Sequence, residues 1–229
     1  MISMVLLSSG VGARMENSKP KQYLSLGGKP IIIHTLERLS NVKEIDEVII
    51  CCTAEYKGLI ARLIENHCPQ LNYQLVLGGD TRQESTNNGL RACKNNSVMI
   101  HEAARPFVKQ EEFERLARDE NENAIYGIEI PFTVLMGRDK IEGNLERENL
   151  INVQLPQKFN RQKLMAAFEQ AYAEGKTFTE DASLFYEYNR YDEVKVLKGT
   201  VFNLKLTYPL DLLIGETIYK EYVIGSEMV

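Results

Sequence analysis

The sequence predicts an α/β fold built on a mostly parallel sheet, and three observations predict it. Short apolar runs rich in β-branched residues alternate with amphipathic helical spacing from the first residue to about position 125, as βαβ units do. Turn chemistry separates the runs, at Ser18-Lys19-Pro20 and at Gly27-Gly28-Lys29-Pro30. The polar clusters that carry chemistry fall just after the predicted strands, where open α/β sheets bind their ligands. With 229 residues and 44% hydrophobic content, one domain with at most a small appendage is expected.

The first strand is Ile2-Ser3-Met4-Val5-Leu6-Leu7. Pro30 suits the first turn of a helix, where its missing N–H is no loss, and helical spacing follows over residues 31–40. The second strand, 47–53, holds Cys51 and Cys52, whose side chains must point to opposite faces. Helix 56–67, strand 73–77, helix 84–94, strand 98–102, helix 110–119 and strand 124–130 continue the alternation. Residues 131–156 break it, being charged, interrupted by Gly137 and Gly143 and without a long apolar face. They read as a disordered loop or a two-stranded arm. Helical spacing returns at 161–173 and 179–188, followed by two short strands, 194–197 and 201–206, and a last helix at 209–222.

With 27 basic and 32 acidic residues, the chain has no global field to attract nucleic acid or an anionic membrane; any phosphate ligand must meet a local cationic pocket. The N-terminus lacks a signal-peptide pattern and no run approaches the roughly 20 apolar residues of a membrane span, so a cytoplasmic protein is expected. Cys51, Cys52, Cys68 and Cys93 show no zinc or C-x-x-C spacing and read as reduced packing residues.

Four clusters carry chemistry. After the first strand, Ser8-Ser9-Gly10-Val11-Gly12-Ala13-Arg14 and then Lys19-Pro20-Lys21-Gln22 combine glycines, which let backbone N–H groups approach phosphate, with fixed cations. The spacing fits neither a P-loop nor a dinucleotide fingerprint. Gly78-Gly79-Asp80-Thr81-Arg82-Gln83-Glu84-Ser85 leads into a helix and can bring amides and Ser85 to a base or ribose, or serve only as an N-cap. Ile100-His101-Glu102-Ala103-Ala104-Arg105 places Glu102 at a strand end, where it can hold Mg²⁺ or pair with Arg105; His101 reads as structural. Finally, Lys205 lies within an apolar run, Phe202-Asn203-Leu204-Lys205-Leu206, where a half-buried lysine calls for an anion.

At these clusters, and at Pro156-Gln157 and Thr179-Glu180-Asp181-Ala182, the chain resembles the cytidylyltransferases that act on 2-C-methyl-D-erythritol 4-phosphate. It resembles even more their relatives that act on ribitol 5-phosphate. The resemblance implies a Rossmann-like three-layer nucleotidyltransferase fold, residues 1–229 as one domain, with a protruding β-arm at about 132–156 that joins a homodimer. It implies that Arg14, Lys21 and Lys205 act on the CTP phosphates. Ser8, Ser9, Gly10, Val11, Gly12, Ala13, Gly79, Asp80, Arg82, Ser85 and Ala103 would bind the nucleotide, and Arg105, Arg147 and Thr179 the acceptor. Glu102 would replace the family's usual magnesium aspartate, with Mg²⁺ as cofactor.

Leu155 stands where the family usually has Thr, residues 132–134 lack an Arg-Asp pair, and Phe202 resembles the ribitol branch. These departures favour an acceptor such as ribitol 5-phosphate, with methylerythritol phosphate and isoprenoid synthesis as the alternative. A phosphate monoester is mostly dianionic at pH 7, so no general base or covalent intermediate is expected. Competing readings are a nucleotide-binding protein without turnover, a nicotinamide-dependent dehydrogenase and a transferase for another nucleotide base.

Overall fold

The computed structural model describes residues 1–10, 12, 15 and 19–224. In chain order, β1 (Ile2–Leu7) is followed by a hairpin of β2 (Ser25–Leu26) and β3 (Lys29–Pro30), then α1 (Ile31–Leu39), β4 (Ile45–Cys52), α2 (Lys57–His67) and β5 (Tyr73–Leu77). Next come α3 (Arg82–Ala92), β6 (Ser97–Glu102), α4 (Gln110–Arg118), β7 (Ala124–Glu129), β8 (Leu135–Gly137) and β9 (Ile141–Asn144). The remainder comprises β10 (Ile151–Asn160), α5 (Arg161–Ala173), α6 (Asp181–Tyr188), β11 (Lys195–Lys198) and α7 (Pro209–Ile218).

Seven strands form the central sheet in the order β11-β7-β10-β6-β1-β4-β5. All pairings are parallel except those of β10, which runs antiparallel to both neighbours. Strand alternation sorts the apolar side chains into two cores. Met4, Leu6, Ile50, Cys52 and Met99 meet α1, α2 and α4 on one face, while Val5, Ile49, Cys51, Val98 and Ile100 meet α3, α5 and α6 on the other. The expected α/β fold is therefore observed in three layers, with Cys51 and Cys52 on opposite faces and all four cysteines buried and free.

Three sequence expectations need correction. The segment 131–156 holds the two-stranded arm, β8 paired with β9, but its last part belongs to β10, which returns into the main sheet. The polar content of β10 hides it: Gln154, Gln157, Lys158 and Asn160 are all buried. Distant groups meet them, Lys158 Nζ donating to the Asp119 carbonyl at 2.6 Å and Asn160 Nδ2 to Glu122 at 2.7 Å, although Gln157 Oε1 is buried without a hydrogen-bond partner among the described residues. Residues 201–206 form no strand. Side chains hold that segment instead: Arg105 donates to Asn203 O at 3.0 Å and Asn203 Nδ2 to Leu155 O at 2.6 Å, while Leu206 N reaches Ala104 O at 2.9 Å. The helix expected from 179 starts at Asp181, because Glu180 caps it through the Asp181 amide at 3.0 Å.

Among the described residues, no helix is long and apolar enough to cross a membrane.

Candidate active site

From β1 the chain moves outward through β4 and β5, then crosses back to β6 on the other side of β1. That reversal opens a crevice beyond the carboxyl ends of β1 and β6, where Leu7 and Glu102 are register partners. A cleft of about 600 Å³ lies there, lined by Ser8, Ser9, Gly10, Gly12, Lys21, Gly79, Asp80, Arg82, Ser85, Glu102, Ala103 and Lys205. Most of the predicted nucleotide and phosphate residues thus converge. Val11, Ala13 and Arg14 lie outside the described residues.

The loop after β1 is fixed from beneath. Buried Gln22 donates through Nε2 to Ser8 O at 2.7 Å and to Gly10 O at 3.1 Å, and Ser8 N donates to Cys51 O at 2.8 Å. Gly12 has φ +69°, a conformation other residues resist. Across the cleft, Thr81 and Glu84 form a reciprocal capping box at the start of α3, so the N-cap is Thr81. Ser85 Oγ accepts from Gly79 N at 3.0 Å and meets Ser9 Oγ at 2.9 Å, tying the two loops together. Gly79 permits this closeness: a Cβ there would fall 2.2 Å from that of Glu84.

Charge concentrates on Glu102. Its carboxylate stands 2.7 Å from Lys205 Nζ and 3.0 Å from Arg82 Nε, with Arg105 Nε at 3.8 Å. Burial alone would raise its pKa, but Lys205, Arg82 and Arg105 overcome burial and hold it down at about 2. Arg82 is itself shared, its other terminus reaching Asp181 at 2.7 Å. Burial opposes the charged form of Arg82, yet Asp181 and Glu102 raise its pKa above the ordinary arginine value. Arg105 is buried enough that its pKa is lowered despite Glu102. His101 is buried, stacks edge-on against Phe113 and meets the Arg105 carbonyl at 3.1 Å; burial drops its pKa to about 3, in keeping with a structural histidine.

Three predicted acceptor residues stand apart from the cleft lining. Arg105 braces Asn203 beside Glu102, Thr179 is exposed, and Arg147 is exposed on the arm, donating to Pro131 O at 3.1 Å. Sequence reasoning gave no site role to Gln22, Thr53 and Thr207, which line the cleft, or to Asp181, which anchors Arg82. Asp181 lies next to Glu180 in a motif already singled out; the signal lay in an acid at the start of a helix, opposite an arginine.

Among the described residues no cluster of three or more His, Cys, Asp or Glu side chains could hold a metal. One protein carboxylate suffices for Mg²⁺ when substrate phosphates and water supply the other ligands. Glu102 fits that limited role: its neighbouring cations favour the ionised carboxylate, it lines the cleft, and the partner of its Oε2, Lys205, is the most exposed of the three cations around it.

The same sheet and arrangement recur in solved structures. A 4-diphosphocytidyl-2C-methyl-D-erythritol synthase from Anaerococcus prevotii superposes with a TM-score of 0.84 at 29% identity, over 96% of each chain. A 2-C-methyl-D-erythritol 4-phosphate cytidylyltransferase from Thermus thermophilus gives 0.74 at 26% identity, over 94% of this chain and 98% of the other. The class is thus that of the α/β nucleotidyltransferases. A profile of the IspD family, described as 2-C-methyl-D-erythritol 4-phosphate cytidylyltransferase, matches residues 2–221. Proteins of that name from rice chloroplasts and Bacillus licheniformis are each 34% identical to this chain. The matches cover 96% of this chain and 75% of the rice protein, and 93% and 94% for the Bacillus pair. The chain belongs to the IspD family and is a CTP-dependent cytidylyltransferase. The lean toward ribitol phosphate finds no support here, since the family description and these relatives all name the methylerythritol compound.

Proposed function

We propose that the chain transfers the cytidylyl group of CTP to 2-C-methyl-D-erythritol 4-phosphate. A phosphate oxygen of the acceptor forms a bond to the α-phosphorus, the bond from that phosphorus to the bridging oxygen breaks, and pyrophosphate leaves. The observation that carries this reading is the convergence of Lys21, Lys205 and the glycine loop on one cleft at the β1/β6 switch point, in a chain of this family. The acceptor dianion needs no base, which suits a cleft lined by no histidine. Lys21 and Lys205 would neutralise charge building on the α-phosphate, with Arg14 assigned beside them by resemblance. Ser9, Gly79, Asp80 and Ser85 would orient the nucleoside end. Mg²⁺ held by Glu102 and the phosphates would add Lewis-acid charge stabilisation.

In this reading residues 1–229 form one catalytic domain in a reducing cytoplasm, which suits the four free cysteines. The arm serves a homodimer in which Arg147 meets the partner's acceptor site. Phe132, Leu135, Met136 and Ile141 support that assignment, being exposed apolar residues on the arm; a monomeric mass by light scattering would remove it.

The test is pyrophosphate release from CTP and Mg²⁺ with methylerythritol phosphate, ribitol 5-phosphate and glycerol 3-phosphate in parallel. Release with methylerythritol phosphate, reduced about 10²–10³-fold in Lys21→Ala, is expected. Preferential use of ribitol 5-phosphate would overturn the acceptor assignment.

A further inference from the structure

Glu102 faces three cations whose surroundings differ. Its Oε1 accepts from Arg82 at 3.0 Å, and Arg82 is anchored at its far end by Asp181, whose side chain is only 2% exposed. Neither member of that chain can leave without stranding a buried charge. Arg105 lies farther off: its Nη1 donates to the carbonyl of Asn203, and its buried Nε stands 3.8 Å from Oε2, too far for a hydrogen bond. Lys205 is different. Its side chain is 36% exposed against 10% for Glu102, and it belongs to the irregular segment between β11 and α7. Leu206, fully buried and bonded to Ala104 O, pins the backbone beside it. The ammonium can therefore swing on its four-carbon stem while the backbone stays in place. Its 2.7 Å contact with Oε2 is a close ion pair.

We propose that Glu102 is a displaceable counter-ion for Lys205, holding the ammonium in the cleft until a phosphate of the arriving nucleotide takes its place. The proposal rests on the cleft being the CTP site. A buried carboxylate on the wall of a triphosphate site repels the ligand, and Lys205 cannot fully serve both anions. Glu102 therefore lowers nucleotide affinity when no divalent cation is present. Once Lys205 moves to the phosphate, Oε2 loses its nearest positive neighbour and keeps only Arg105 Nε at 3.8 Å, while Arg82 still fixes Oε1. That oxygen would then be less fully neutralised and could accept a cation arriving with the phosphates. Glu102 thus positions Lys205 in one state and is released by it in the other.

The experiment is calorimetric titration of CTP in EDTA into the wild type, Glu102→Gln, Lys205→Met and the double variant, each first shown by its thermal melt to be folded. Glu102→Gln should bind CTP about tenfold tighter than wild type, the low end of coupling between close charges. In the Lys205→Met background that gain should shrink to about threefold or less, because no ammonium remains to be released. An equal gain in both backgrounds would mean simple charge repulsion and overturn the exchange, as would no gain at all. If Glu102→Gln does not fold, Glu102→Asp supplies the same comparison, its shorter side chain loosening the Lys205 contact, with a smaller gain that must also vanish alongside Lys205→Met. A wild type that takes up no CTP even with Mg²⁺ would instead refute the cytidylyl reading, and the exchange with it; CTP binding with Lys205-independent gains would refute the exchange alone.

Discussion

Replacing Asp181 with Asn removes one charge from the Asp181–Arg82–Glu102 chain while keeping the shape of the side chain. The contact is 2.7 Å long, with Asp181 2% and Arg82 22% exposed. At an effective dielectric of about 20 the gross attraction at that distance is about 6 kcal/mol, set against the cost of removing both groups from water. Loss of one partner from a buried pair typically costs about 3–5 kcal/mol, because the other charge stays buried. Arg82 keeps Glu102 at 3.0 Å and retains some solvent contact, so the lower end applies, about 3 kcal/mol. For a chain of this length that is a fall in Tm of about 6–12 °C, readable by calorimetry at pH 7. Thr179→Ala, two residues away but exposed, should stay within about 0.5 kcal/mol of wild type. A loss below about 1 kcal/mol in Asp181→Asn would refute the view that Arg82 depends on this anchor.

Two further outcomes follow from the geometry. The pKa of His101 is lowered by burial from 6.5 to about 3, so between those values the unfolded chain binds a proton that the folded chain does not; its contribution to stability is complete above about pH 6.5 and is lost as pH falls toward 3. Urea unfolding at pH 7 and 5.5 should show a smaller pH-dependent loss in His101→Gln than in wild type, and equal losses would contradict this assignment. Gly79→Ala sets a Cβ 2.2 Å from that of Glu84, costing about 1–3 kcal/mol and separating Gly79 N from Ser85 Oγ; the KM for CTP should rise about tenfold or more with a smaller change in kcat, and an unchanged KM would mean that this turn does not shape the nucleotide site.

The parts of the fold that sequence predicts well are those in which local pattern and tertiary role agree. Val5 and Leu6, like Cys51 and Cys52, alternate between two apolar cores, so period-two spacing and burial give the same answer. In β10 they disagree. Pro156 brings no N–H to the ladder and the pairing with β7 shifts between Gln154 and Gln157. The polar side chains around it are buried only because distant residues meet them: Glu180 accepts from Gln157 at 2.6 Å, and Thr200 O from Gln154 at 2.8 Å. Lys205 is the converse case: neighbours of strand type surround it, but the side-chain hydrogen bonds of Arg105 and Asn203 hold the segment. Its place facing an anion is legible from the cost of burying a lysine; its irregular backbone is not.

The site divides along the same line. The proposed nucleotide side consists of short contiguous stretches, the loop after β1 and the turn before α3, and in the latter Thr81 and Glu84 cap each other within one turn. Such chemistry can be read locally. Other parts of the proposed site draw on residues that local pattern cannot bring together. Asp181 reaches the cleft only through Arg82, 99 positions earlier in the chain, and Arg147 sits on an arm whose Phe132 and Ile141 side chains are 75% and 73% exposed. Exposed apolar side chains on a projecting hairpin need a partner to cover them, and under the homodimer reading that partner also receives Arg147. Under that reading a second copy of the chain would complete the acceptor site, and the departures at residues 132–134, at the base of the arm, would act on acceptor choice through the way two arms meet, whereas Leu155 is buried in β10.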